Sequence, residues 1–238
     1  MKALLKSGNR RRGGVPLRKT FVQQGSRTSP EPGPLASLVH NGDQRGLDTY
    51  LLLKAVASAP PFNSHRSAAV WARALRHTGV SADEQTVSRI WRRLEKLGLV
   101  TRSKHGRLAN ITLLNEDGSG EPYTLPATAG DTYLQLPVAY WRDENQWCSK
   151  LKLPAKAMLL VALSLPPPFL LPVEKAPEWY GISADTAQRG LASLQEHDVL
   201  KVARTPKRAP LAPKGFTYDS RYTLQGVFYS KWSGNDDN

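Results

Sequence analysis

Cysteine is nearly missing from this chain. Of 238 residues, only Cys148 carries a thiol. A lone thiol excludes an intramolecular disulfide and every zinc site built on cysteine pairs, and it fits a reducing compartment. Long apolar runs are missing as well. The longest, residues 158–165, stops at three consecutive prolines, far short of the roughly 18 to 20 residues of a membrane-spanning helix. The five histidines (His40, His65, His77, His105 and His197) are scattered without ligand spacing. There is no HxH motif, which argues against a metal-dependent nicking enzyme with a tyrosine nucleophile. There is no GxxxxGKS/T loop either, which argues against ATP hydrolysis. Carboxylates side by side, Asp83-Glu84 and Asp143-Glu144, read as capping or surface groups. The expectation is a protein without catalysis, cofactor or bound metal.

Acidic residues are in short supply: 20 against 33 lysines and arginines, a formal net charge of +13. Such an excess favours a polyanionic partner. It is concentrated at the start. Residues 1–46 hold nine basic residues against Glu31 and Asp43. Apolar residues there are sparse and the SPEPGPL stretch breaks regular structure, so the segment reads as a disordered basic arm able to add phosphate contacts. The first dozen residues are too polar for a secretory signal and leave an organellar transit peptide open.

Ordered structure is expected from Leu47. Leu51, Leu52 and Val56 recur at helical spacing, and a second helix fits residues 67–77, closed by Gly79. The segment SADEQTVSRIWRRLEKLGLV (residues 81–100) carries the strongest pattern. Ser81 with Glu84 reads as a capping box. Val87, Ile90, Leu94 and Leu97 then form a buried stripe that ends at Gly98. Two strands, residues 99–103 and 108–114, flank a tip at residues 104–107. The second half repeats the plan: an apolar helix over residues 154–165, a helix over 173–180, a helix capped by Ser183, and a hairpin with a long basic tip, RTPKRAPLAPKG. The repeat is visible in the letters. GVSAD (residues 79–83) matches GISAD (181–185), and Thr86, Arg89 and Leu94 match Thr186, Arg189 and Leu194 at an offset of 100. Trp71, Trp91, Trp141, Trp147 and Trp179 lie mostly in helical patterns and read as core, with Trp91 the least settled.

The run Thr86-Val87-Ser88-Arg89, followed by Leu94-Glu95-Lys96-Leu97-Gly98-Leu99-Val100, resembles the recognition helix and first wing strand of bacterial winged-helix regulators. Gly181-Ile182-Ser183 with Thr186 and Arg189 resembles it a second time. Two such units in tandem are also similar, in architecture, to plasmid replication initiators. The resemblance implies an α+β fold: two winged helix-turn-helix domains in tandem at residues 47–125 and 132–230. They are joined by a linker at 126–131, preceded by the disordered basic arm 1–46 and followed by a disordered tail at 231–238.

The implied function is sequence-specific double-stranded DNA binding, by a transcription regulator or the replication initiator of a plasmid or other mobile element. The rival is a tandem winged-helix interaction module of a chromosome-organising complex, docking a partner chain. In the first unit the DNA-facing side is expected to carry Gln85, Ser88, Arg89, Arg92 and Arg93, with Ser88 and Arg89 meeting base edges, Arg92, Arg93 and Lys96 meeting phosphates, and Lys104 and Arg107 on the wing. In the second, Thr186, Gln188 and Arg189 read bases, although Glu196 and Asp198 nearby repel phosphate. This helix is therefore also a candidate homodimer surface. Lys207, Arg208 and Lys214 sit on the second wing. No membrane association is expected, and the location is cytoplasmic, with the nucleoid.

Overall fold

The computed structural model describes Met1 and residues 4–5, 13–26, 28–126, 132–142, 144–208 and 215–229. The chain is mixed α and β, and its described residues form helices and four small sheets. It opens with β1 (Gly14–Arg18), a short hairpin of β2 (Gln23–Gly25) and β3 (Pro30–Pro32), and helix α1 (Pro34–His40). Next come α2 (Gln44–Val56), β4 (Asn63–Ser64), α3 (Ala68–Arg76), α4 (Glu84–Lys96), β5 (Val100–His105) and β6 (Leu108–Leu113). The second half starts with β7 (Tyr133–Pro137) and two short helices, α5 (Ala139–Arg142) and α6 (Trp147–Lys150). It continues with α7 (Leu153–Leu163), β8 (Phe169–Leu170), α8 (Ala176–Tyr180), α9 (Ala184–Glu196), β9 (Leu200–Arg208) and β10 (Phe216–Leu224).

From α2 and from α7 onward one order of elements occurs twice: apolar helix, two-residue strand, helix, helix, hairpin, each run preceded by a strand and short helical structure, with the β2–β3 hairpin present in the first half alone. The sheets agree. β4 lies beside β6, which pairs with β5, and β8 lies beside β10, which pairs with β9. The letters agree further than the offset-100 match, since LLLKAVASAPPF (residues 51–62) parallels MLLVALSLPPPF (158–169). The two copies share one sheet. β1 and β7 pair antiparallel, with Val15 opposite Leu136 and Leu17 opposite Leu134. All four side chains are buried, so the sheet joins the cores of the two copies.

Each half braces the other. Gly79 and Gly181, the matched glycines before α4 and α9, both have positive φ (77° and 62°). That conformation favours glycine. A Cβ on Gly181 would sit 2.8 Å from Ala36 Cβ, on α1 of the first half, and one on Gly79 would sit 3.0 Å from the Ser149 carbonyl, on α6 of the second. The leading segment of each copy thus crosses over and packs on the turn of the other. Gln23 Nε2 also donates to the Trp179 carbonyl at 3.1 Å.

This crossing corrects the expectation of a disordered arm. Residues 14–26 and 28–46 are folded: Val15, Leu17, Phe21, Val22, Leu35 and Leu38 are all buried, as are Leu4 and Leu5. Arg18 is not a surface charge. Its Nη1 donates to Glu116 Oε2 at 2.8 Å and to the Thr124 carbonyl at 2.9 Å. Glu116 also accepts from Lys54 Nζ at 2.6 Å, and both of those residues are fully buried. The apolar content of residues 14–46 is low, but it is spread over short elements that dock on existing surface, so the segment needs no core of its own. The expected linker, save Pro126, and the expected tail lie outside the described residues.

Local readings shift by a few residues. α4 is capped by Asp83, which accepts from Thr86 N at 2.6 Å, not by Ser81. Ser183 does the same for α9, accepting from Thr186 N at 3.2 Å. Asp83 and Ser183 are therefore equivalent, and the first copy has two more residues than the second between its glycine (Gly79, against Gly181) and its cap. The second hairpin is longer than expected. Its strands run nine residues each, and Lys207 and Arg208 lie in β9 rather than in a tip. Pro206 is tolerated there because β9 is an edge strand, in which only alternate N–H groups face a neighbouring strand.

Candidate nucleic-acid interface

The helix α4 sorts its side chains cleanly. Val87, Ile90, Trp91 and Leu94 are buried, while Gln85, Ser88, Arg89, Arg92, Arg93 and Lys96 are exposed. Trp91 belongs to the core, where it meets Trp71 edge to face at 5.1 Å. Leu99 and Val100 carry the buried stripe into β5, which fixes the hairpin against the helix.

The exposed side chains are not equally free. Arg89 Nη2 donates to Gln85 Oε1 at 3.3 Å, one turn back, a contact between two exposed groups that costs little to exchange. Ser88 Oγ donates to the Glu84 carbonyl at 3.0 Å, so its hydroxyl lies against the helix. Arg93 departs from expectation. Its Nε and Nη2 grip Asp43 Oδ2 and Oδ1 at 2.7 Å each, and Asp43 caps α2 through Gly46 N at 2.9 Å. The bidentate fork straps α4 to the start of α2, so Arg93 positions the helix instead of reaching outward. Arg102 is similarly tied to Glu95, at 2.6 Å.

Beside the start of α4 lies an open groove of about 780 Å³, lined by Arg45, Arg73, Arg76, Ser81, Asp83, Glu84 and Thr86 among others. The three arginines were not among the sequence candidates. Arg73 and Arg76, three apart on α3 and so on one face, were the available signal. Arg45 was hidden by being assigned to the arm. The groove is not uniformly positive: the hydrogen bonds from Thr86 hold the Asp83 carboxyl below its usual range, so it stays ionised at the mouth. Lys104 and Arg107 are exposed on the first hairpin.

On α9, Gln188 and Arg189 are exposed and Ala187, Gly190, Leu191 and Leu194 are buried. Thr186 is half-buried, and its hydroxyl accepts from Ser183 Oγ at 2.8 Å, inside the cap. Arg189 pairs with Asp185 at 3.0 Å across one turn. This face is therefore closer to neutral than that of α4. The basic surface of the second half lies on its hairpin, where Lys201, Arg204, Lys207, Arg208 and Arg221 are all exposed. Lys214 lies outside the described residues.

Among the described residues, no group of three or more His, Cys, Asp or Glu could hold a metal ion. No described helix is long and apolar enough to cross a membrane. Burial pushes the Cys148 thiol up to about 11, so it stays protonated near neutral pH and is a poor nucleophile. Comparison with known protein families, curated proteins and solved structures finds no match.

Proposed function

We propose that the chain is a sequence-specific double-stranded DNA-binding protein made of two winged helix-turn-helix units, with α4 and α9 as the reading helices and the two hairpins as wings. The observation that carries this reading is the doubled order of elements, each copy ending in a capped helix with an exposed arginine and a basic hairpin. Arg89 and Gln85 are placed for base edges, Arg92 and Lys96 for phosphates, and Lys104 and Arg107 for the first wing. Arg45, Arg73 and Arg76 extend the basic surface beside α4. Helix-turn-helix proteins commonly reach two half-sites by dimerising about a two-fold axis. Here the two units lie within one chain, so a monomer serves both half-sites. The copies differ in sequence, so the half-sites are unlike, and the more neutral α9 contributes less affinity than α4. The role is that of a transcription regulator or of a replication initiator of a plasmid or other mobile element.

Selection of bound duplexes from a random pool, followed by binding at several salt concentrations, tests this. The expected result is one motif with two unlike halves in inverted orientation, bound by a monomer and weakened steeply by salt. Recovery of that motif at promoters assigns regulation, and recovery at repeats in an origin assigns initiation. No enriched motif, and no salt-dependent shift with plain duplex, would overturn the reading in favour of a protein-docking module.

A further inference from the structure

The second hairpin carries a feature that reading a duplex does not require. In β9 and β10 alternate residues share a face. The face that holds Leu200, Leu224, Val202 and Tyr222 against the body continues outward through Arg204, Ser220, Pro206, Tyr218, Phe216 and Arg208. At the base this face is covered: Leu200 and Leu224 are buried, and Phe169 stacks on Tyr222 with ring centroids 5.8 Å apart. Further out the body ends, yet the aromatic residues do not. Phe216 is 40% exposed and Tyr218 58% exposed, and their rings meet at 5.6 Å, nearly perpendicular. The hairpin's only described acidic residue, Asp219, lies on the opposite face, since it pairs with Thr205. Glu174 lies near Tyr222, at the base.

We propose that this outer face, with Phe216 and Tyr218 as stacking surfaces flanked by Arg204 and Arg208, binds single-stranded nucleic acid. Two aromatic residues at i and i+2 on one exposed strand face present ring surfaces to unpaired bases, and the neighbouring guanidiniums meet the phosphates between them. Charge complementarity selects this occupant over a second copy of the chain, which would bring its own arginines against these. Unpaired bases fit better than a duplex because a duplex hides base faces inside its own stack. A flat strand face is also not a protruding wedge of the kind that pries base steps apart. The proposal does not rest on duplex reading by α4, and the two fail separately.

The test is fluorescence anisotropy of the full chain with a labelled oligothymidylate of about 16 nucleotides, and with a duplex carrying the selected motif. Phe216→Ala/Tyr218→Ala is expected to weaken the single strand by about 30-fold or more, corresponding to loss of stacking on two rings, and to weaken the duplex by a much smaller factor. Tyr218→Phe, which keeps the ring, is expected to bind the single strand like the parent and controls for folding. Arg204→Ala/Arg208→Ala is expected to flatten the salt dependence of single-strand binding. Two results overturn the proposal: no single-strand binding by the parent, or unchanged binding by the double-alanine variant. A parent that is dimeric and a double-alanine variant that is monomeric, without single-strand binding by either, would assign the face to a second copy instead.

Discussion

Lys156 on α7 donates to both carboxylate oxygens of Asp48 on α2, at 2.6 and 2.7 Å, and the pair is buried between the two halves. Lys156→Met keeps most of the side-chain volume and leaves Asp48 enclosed without its cation. Breaking a buried pair from one side costs about 3–5 kcal/mol, a large part of the roughly 5–15 kcal/mol that holds a typical domain together. The loss should depend on pH. Burial pushes the Asp48 carboxyl up to about 6, against the pull of the Lys156 ammonium, while burial lowers the Lys156 ammonium. Between the usual carboxylate value near ~4 and about 6, the folded chain holds a proton that the unfolded chain has released. The stability linked to this group is thus fully present below about pH 4 and is lost as pH rises through about 6. Removing the ammonium raises the carboxyl further, so Lys156→Met should be most damaging at neutral pH and less so near pH ~5, where the isolated carboxyl can stay protonated. Asp48→Leu/Lys156→Met removes both charges and should lie within about 1 kcal/mol of the parent, or above it. Urea unfolding followed by tryptophan fluorescence at both pH values measures all three. A single variant within about 1 kcal/mol of the parent at neutral pH, or a loss that grows on acidification, refutes the argument. So does a double variant as unstable as the single.

Gly190 on α9 faces α7 so closely that a Cβ would lie 2.4 Å from the Pro154 carbonyl and 2.5 Å from Met158 Cγ. Gly190→Ala should therefore destabilise by about 1–3 kcal/mol in thermal melts, although alanine is the better helix former by about 1 kcal/mol. On α4, Arg89→Ala should cost about 1–3 kcal/mol on the preferred duplex and almost nothing in melting. Leu94→Ala should cost about 2–5 kcal/mol in melting, and the reverse pattern would invert the assigned face.

The parts legible in the sequence were those whose pattern is local. The stripe of Val87, Ile90 and Leu94 states the phase of α4 within three turns, and the matched GVSAD and GISAD state the repeat. What escaped depends on distant partners. Val15 and Leu17 are buried by a strand more than a hundred residues away, and nothing in GVPLR names that partner. Arg18, Lys54 and Glu116 look like ordinary surface charges until the fold encloses them together. Arg93 looked like its neighbour Arg92, but one step around the helix turns it onto Asp43. In the second hairpin the prolines of RTPKRAPLAPKG suggested a loop, because the alternation of one face is diluted by arginines and threonine.

The arrangement of the leading segments bears on how the halves work together. If the two copies were independent domains on a linker, residues 126–131 would set the distance and angle between α4 and α9, and that distance would vary. The contacts point the other way. The turn before α4 leans on α6, from the second copy, and the turn before α9 leans on α1, from the first. The α2 and α7 helices are joined by the Asp48–Lys156 pair and by Leu153 N donating to Gln44 Oε1 at 3.0 Å. β1 and β7 close the arrangement as one sheet. The α4 and α9 helices are thus each oriented by residues of both copies, and the position of one relative to the other follows from packing. Interiors packed in this way yield little to small forces. For a protein that reads two half-sites as proposed, the spacing between them is then a fixed property of the fold. An added or missing base pair between the halves would be rejected by strain in the complex, even though no side chain touches it.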